Sequence, residues 1–183
     1  MKGLMLSLAL VTLSALCAYG EVPVQPDFQE DKIVGKWYGI GLASNSAWFQ
    51  SKKQQMKMCT TVITPTADGN LDVVATYPKL DRCEKRSMTY IKTDQPGRFL
   101  SKSPRYGSDH VIRVVETNYD EYTLMHAIKT KGSEVNTIVS LHGRNKDLRP
   151  ELLEKFKELA KEQGLTDDNI IILPHTDKCM SEV

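Results

Sequence analysis

The chain offers few groups suited to chemistry, and a thiol leads them. Cys59 stands two residues before Thr61 in a stretch rich in β-branched residues. Positions two apart on an extended strand share a face, so the thiol and the hydroxyl would project together, with Lys57 on the same face. Such a thiol can act as a nucleophile where its thiolate is stabilised. It can equally be an inert small apolar filler, as buried free cysteines commonly are. Trp48 and Phe49 precede Lys52 and Lys53. The lysines could meet a ligand carboxylate or simply be solvated. Tyr77 lies on an alternating segment, where core filler and ligand contact are equally consistent. His110, His126, His142 and His175 lack the close spacing of a zinc site, so no metal is expected. No Asn is followed by x-Ser/Thr, so no N-linked glycan is expected either.

The elements that would position these groups follow a leader. Lys2 precedes an apolar run over residues 4–18, and Ala18-Tyr19-Gly20 fits a small-x-small cleavage site. Residues 1–20 therefore read as a secretory signal and residues 21–183 as one domain. The run is short for a membrane anchor, and no later segment is apolar enough to cross a bilayer. Lys2 is the only charge in the leader. Removing it from 24 Lys+Arg leaves 23, against 23 Asp+Glu. A neutral mature chain gives no electrostatic footprint for nucleic acid. Export also sets the redox state. Cys17 lies in the leader, so Cys59, Cys83 and Cys179 remain. One pair should be a disulfide and one thiol should be left over.

Short strand-like segments then recur. They cover residues 37–42, 57–64, 71–77, 87–92, 98–103, 111–117, 122–128 and 135–142. Turn sequences such as Ala67-Asp68-Gly69-Asn70 and Lys131-Gly132-Ser133 separate them. Eight such strands predict an all-β antiparallel sandwich or barrel. Leu148, Leu152, Phe156 and Leu159 then recur at helical spacing, with Asp147 as candidate N-cap, Pro150 in the first turn and Gly164 as the stop. This helix should pack its apolar stripe on the outside of the barrel. A last short strand is expected over residues 170–173. An eight-stranded barrel either fills with side chains or holds one small ligand.

Gly35-Lys36-Trp37-Tyr38 resembles the G-x-W signature of the lipocalins. Thr117-Asn118-Tyr119-Asp120 resembles their T-D-Y turn, and Arg144 lies where they place an Arg after the last barrel strand. The resemblance implies an eight-stranded antiparallel up-and-down barrel, with Gly35, Trp37 and Arg144 closing one end. It also implies a secreted monomer that binds and transports a small hydrophobic molecule of retinoid, fatty-acid or prostanoid type, with Trp48, Tyr77 and Lys57 lining the site. Within the family the chain is most similar to the prostaglandin D synthase branch. The shared runs include Gly41-Leu42-Ala43-Ser44-Asn45-Ser46, Met58-Cys59 and Thr176-Asp177-Lys178-Cys179-Met180. That branch implies a Cys83–Cys179 disulfide, Cys59 as nucleophile of a prostaglandin H2 to D2 isomerase, and Thr61 as a hydroxyl activating it. No bound cofactor is implied, only glutathione or another thiol as helper. Gly39 and Ala75 stand where the branch has two further hydroxyls, which implies weakened activation of the thiol.

Overall fold

The computed structural model describes residues 21–103 and 106–181. The expected leader, residues 1–20, lies outside the described residues. The elements are α1 (Glu30–Ile33), β1 (Gly35–Ser44), α2 (Ala47–Lys52), β2 (Thr60–Pro65), β3 (Leu71–Lys79), β4 (Arg82–Lys92), β5 (Arg98–Ser103), β6 (Ser108–Thr117), β7 (Tyr122–Lys131), β8 (Glu134–Gly143), α3 (Pro150–Glu162) and β9 (Ile170–Ile172). Neighbouring strands pair antiparallel in chain order from β2 to β8. β1 pairs with both β8 and β2, which closes the barrel of β1 to β8. β9 adds to the upper part of β1, at Gly41 to Ala43.

Closure sorts apolar residues into two layers. Trp37, Ile63, Leu71, Val73, Phe99, Ile112, Val114 and Met125 fill the lower interior, joined by Phe28 and Ile33. Ile40, Ala43, Leu124, Val139 and Leu141 point outward beneath Leu152, Phe156 and Ala160 of α3. Gly41 makes that docking close, because a Cβ there would stand 2.6 Å from the Phe156 ring. The register of β1 against β8 shifts between Gly39 and Gly41, so the inward phase changes there.

Three expectations need correction. The N-cap of α3 is Arg149, not Asp147, and no side chain caps it. Pro150 opens the helix and holds the residue before it extended, so Asp147 is too far upstream to reach the first N–H groups. Asp147 instead meets His175 at 3.2 Å. The second strand begins at Thr60 rather than residue 57, so Lys57 sits in the preceding loop, exposed. The fourth begins at Arg82 rather than residue 87. Its early half alternates charged residues on both faces, which hides the usual polar–apolar signal. Gly164 does stop α3. Its φ is +80°, and the N–H groups of Gly164 and Leu165 donate to the carbonyls of Lys161 and Ala160, the double bond of a Schellman cap.

Candidate functional site

The lower end of the barrel is sealed. The Arg144 guanidinium lies 3.7 Å from the centre of the Trp37 ring. It donates to the carbonyls of Tyr119, Lys36, Val34 and Lys32 at 2.9, 2.9, 3.0 and 3.1 Å. Gly35 has φ +100°, a region that favours glycine, and a Cβ there would press on the guanidinium at 3.3 Å. Trp37 is held from its other edge, its indole N–H donating to Ile33 at 2.8 Å. Tyr119 has φ +67° in the turn after β6, where the Thr117 hydroxyl accepts from the Tyr119 N–H and donates to the Tyr122 carbonyl. The Asn118 side chain accepts from the N–H groups of Glu121 and Tyr122. Asn therefore caps this turn as an Asp would.

Above the floor several inward side chains are incompletely buried. Leu42, Cys59, Ala75, Tyr77, Met88, Ile138 and His142 share the inward phase, yet all are only half-buried. Burial is the largest influence on the pKa of both Cys59 and His142, yet each still offers surface to a water-sized contact. Enclosed but not sealed is the condition of a group lining an internal cavity. A shallow groove between the N-terminal segment and α3, lined by Val22, Pro23, Lys155 and Glu158, lies outside the barrel and gathers no such chemistry.

The thiol sits in the wall of that interior. Cys59 is the free cysteine among the described residues. Cys83 and Cys179 form the disulfide, tying the tail to β4. The Gly39 N–H donates to the Cys59 carbonyl at 2.9 Å, extending the ladder past the start of β2. The thiol leans into the space glycine leaves, since a Cβ at Gly39 would stand 2.6 Å from Cys59 Sγ. Burial pushes the Cys59 thiol above its ordinary pKa; backbone N–H groups at Gly39 and Cys59 and the Thr61 hydroxyl only partly oppose this. The thiol is thus predominantly protonated at neutral pH, unlike an activated nucleophile. Thr61 does share its face, buried and opposite Ala75.

The other expected residues are scattered. Tyr77 faces Glu84 across β3 and β4 and donates to its carboxylate at 3.3 Å. Trp48 is 63% exposed, whereas its neighbour Phe49 is buried. Ser46 caps α2 by accepting from the Phe49 N–H, and this sets Phe49 inward and Trp48 outward. Lys57 lies in solvent, and Lys53 donates to the Asp168 carbonyl, away from the interior. Among the described residues no cluster could hold a metal ion.

The structure also brings inward groups that sequence reading missed. His142 flanks Gly39 from β8 as Cys59 flanks it from β2. Desolvation lowers the His142 pKa to about 4, so it is neutral, and its Nδ1 has no partner. Ser101, His110, Lys129 and Asn136 form a continuous row across β5 to β8. Arg86 faces Ala75 from β4. Each lies two or four residues from an apolar inward position, which is the only sequence signal that could have found it.

Comparisons with known proteins fit this geometry. The model of the Lipocalin / cytosolic fatty-acid binding protein family matches residues 34–177. A protein of Rhinella marina named Lipocalin is 86% identical over 183 residues, covering all of both chains. A Prostaglandin-H2 D-isomerase of Equus caballus is 44% identical over 169 residues, covering 90% of this chain and 87% of that protein. A solved structure of the siderocalin Ex-FABP, described as functioning through dual ligand specificities, superposes with a TM-score of 0.71 at 28% identity, covering 81% of this chain and 97% of that one.

Proposed function

Since the chain belongs to the lipocalin and cytosolic fatty-acid binding protein family, we propose that it is a secreted, monomeric carrier holding one small hydrophobic molecule of retinoid, fatty-acid or prostanoid type in its barrel. The observation that carries this reading is the set of inward side chains that remain half-buried inside a closed barrel with a sealed floor. Export is supported by the Cys83–Cys179 disulfide, which suits an oxidising compartment. No helix among the described residues is long and apolar enough to cross a membrane. Burying about 400 Å² of apolar ligand contributes a gross ~10 kcal/mol. Association costs at least ~4 kcal/mol. The remaining ~6 kcal/mol corresponds to tens of micromolar, before any polar contact is added.

The test is a fluorescence titration with retinoic acid and with a long-chain fatty acid. Trp37 in the floor and Trp48 beside the mouth are the reporters. Saturable quenching, or displacement of a reporter dye, is expected. No response to either ligand class would reject the carrier.

A second reading has one specific observation in its favour: Cys59 is free and lines the interior beside the Thr61 hydroxyl. As an isomerase of prostaglandin H2, the Cys59 thiolate would attack one peroxide oxygen, breaking the O–O bond and forming S–O. The other peroxide oxygen leaves as an alkoxide and is protonated to the ring hydroxyl; loss of the ring proton on the carbon bearing the sulfur-bound oxygen then breaks S–O, leaves the ketone of prostaglandin D2 and expels the thiolate. The reaction is redox-neutral, with glutathione or another thiol only assisting. The raised thiol pKa and the missing hydroxyls at Gly39 and Ala75 predict slow turnover. Incubation of prostaglandin H2 with wild type and Cys59→Ala decides it. Product D2 above background in wild type alone supports the enzyme; equal background leaves the carrier.

A further inference from the structure

The polar groups inside the barrel are unevenly charged. Arg86 and Lys129 both face inward, and among the described residues neither has a carboxylate within ion-pair distance. Arg86 lies opposite Ala75, which has no polar side chain to meet it. It extends over the Tyr106 ring at 5.3 Å. Glu84, two residues away on the same face, is engaged by Lys79 and Arg82 at 3.1 and 2.8 Å. Asp109 points outward, exposed, beside Thr130. His110 pairs opposite Lys129; desolvation first, then Arg86 and Lys129, hold its imidazole below the usual histidine range, against a smaller opposing pull from Asp109 and the Ser101 backbone.

Around this pair are polar atoms without partners. Ser101 Oγ, Ser108 Oγ and His110 Nδ1 are buried and make no hydrogen bond. Ser101 and His110 face each other across β5 and β6, in the inward phase set by Phe99 and Ile112 two residues away. Buried polar atoms are nearly always partnered, and a cluster of orphans on the inward face marks a place where an incoming group completes the bonds. Two unpaired cations beside hydroxyls ask for an anion with several acceptor lone pairs. The apolar interior below asks for a chain.

We propose that Arg86 and Lys129, with Ser101, Ser108 and His110, form the headgroup site of the barrel, and that the ligand is a long-chain carboxylic acid whose carboxylate sits between the two cations. The inference rests on the carrier reading and narrows it from hydrophobic molecules in general to acids. It also moves the anchor away from the lysines of and after α2. Lys53 is turned to Asp168, and Lys52 and Lys57 lie in solvent. Charge-assisted bonds in an enclosed site are about twice as strong as neutral ones. The acid should therefore bind at least about ten-fold more tightly than the alcohol of equal length.

The experiment titrates the mature chain with palmitate, hexadecanol and hexadecyl phosphate, reading displacement of a fluorescent fatty acid. It compares wild type, Arg86→Gln, Lys129→Gln and, as a control removing one outward charge, Lys102→Gln. Circular dichroism confirms folding, and the two interior variants are independent, so failure of one to fold leaves the other decisive. The expected result is palmitate ahead of hexadecanol by ten-fold or more, a preference lost in both interior variants and kept in Lys102→Gln. Equal binding of acid and alcohol overturns the headgroup site and leaves the carrier standing. A preference that survives both interior substitutions overturns it in favour of an anchor elsewhere. Hexadecyl phosphate well ahead of palmitate overturns the carboxylate assignment. No binding of any of the three rejects the carrier itself.

Discussion

Replacing Arg144 by Ala removes the group that joins α1, the start of β1 and the turn after β6. Four hydrogen bonds from a charged donor are lost, to Tyr119, Lys36, Val34 and Lys32, along with the contact 3.7 Å from the Trp37 ring. Cation–π attraction accounts for about 1 kcal/mol. The half-buried site readmits water to some carbonyls, so each bond is counted at the net value of about 0.5–1 kcal/mol rather than the full charged value. The sum is about 3–5 kcal/mol. For a domain of this size that lowers Tm by roughly 6–20 °C. Arg144→Lys keeps the charge but not the planar fork that reaches four carbonyls at once, and should still lose about 2 kcal/mol. Urea unfolding followed by circular dichroism and by Trp37 emission measures both. If Arg144→Ala costs under about 1 kcal/mol, or Arg144→Lys matches wild type, the floor is held by apolar packing and the argument is wrong.

The Cys83–Cys179 bond spans a separation of 96 residues, so the double Ser variant should lose about 4.7 kcal/mol in the chain-entropy model; a thermal melt less than a few degrees below wild type would contradict this. His126 and His142 are both held down to about 4 by desolvation, with Arg113 adding to the effect at His126. A depressed histidine leaves the unfolded chain binding more protons below its ordinary value, so stability is complete above about pH 6.5 and declines as pH falls toward 4. Denaturant unfolding at pH 7.5 and 4.5 should show the decline, and His126→Gln should reduce it by on the order of 2 kcal/mol. The mature chain should titrate one thiol in denaturant. In the native state Cys59 should react with a disulfide reagent far more slowly than a free thiol at pH 8, because burial raises its pKa. Fast native labelling would instead indicate an activated thiolate.

The fold was largely readable along the chain because its signals are local. G-x-W, the Thr117 turn, the Gly164 stop and the spacing of short strands each depend on a few neighbouring residues. The helix could be placed outside the barrel because its apolar stripe must cover something. The expected disulfide was found through a family pattern, and it held. The interior was another matter. Glu84 and Arg86 look like a solvated segment by type, yet β4 runs through them and turns them inward. A cavity wall accepts polar residues, so alternation shows that two faces exist without showing which one is inside. That choice follows from barrel closure and from the shift between Gly39 and Gly41, which rotates His142, Gly39 and Cys59 into one row. The α2 segment shows the same limit: Trp48 and Phe49 are adjacent aromatics, and only the folded chain, with Ser46 capping the helix, distinguishes the buried one from the exposed one. The thiol's chemistry was also decided in three dimensions. A pair spaced as Cys59 and Thr61 can describe a reactive cysteine or a quiet one, and the burial that raises its pKa comes from strands far away in sequence.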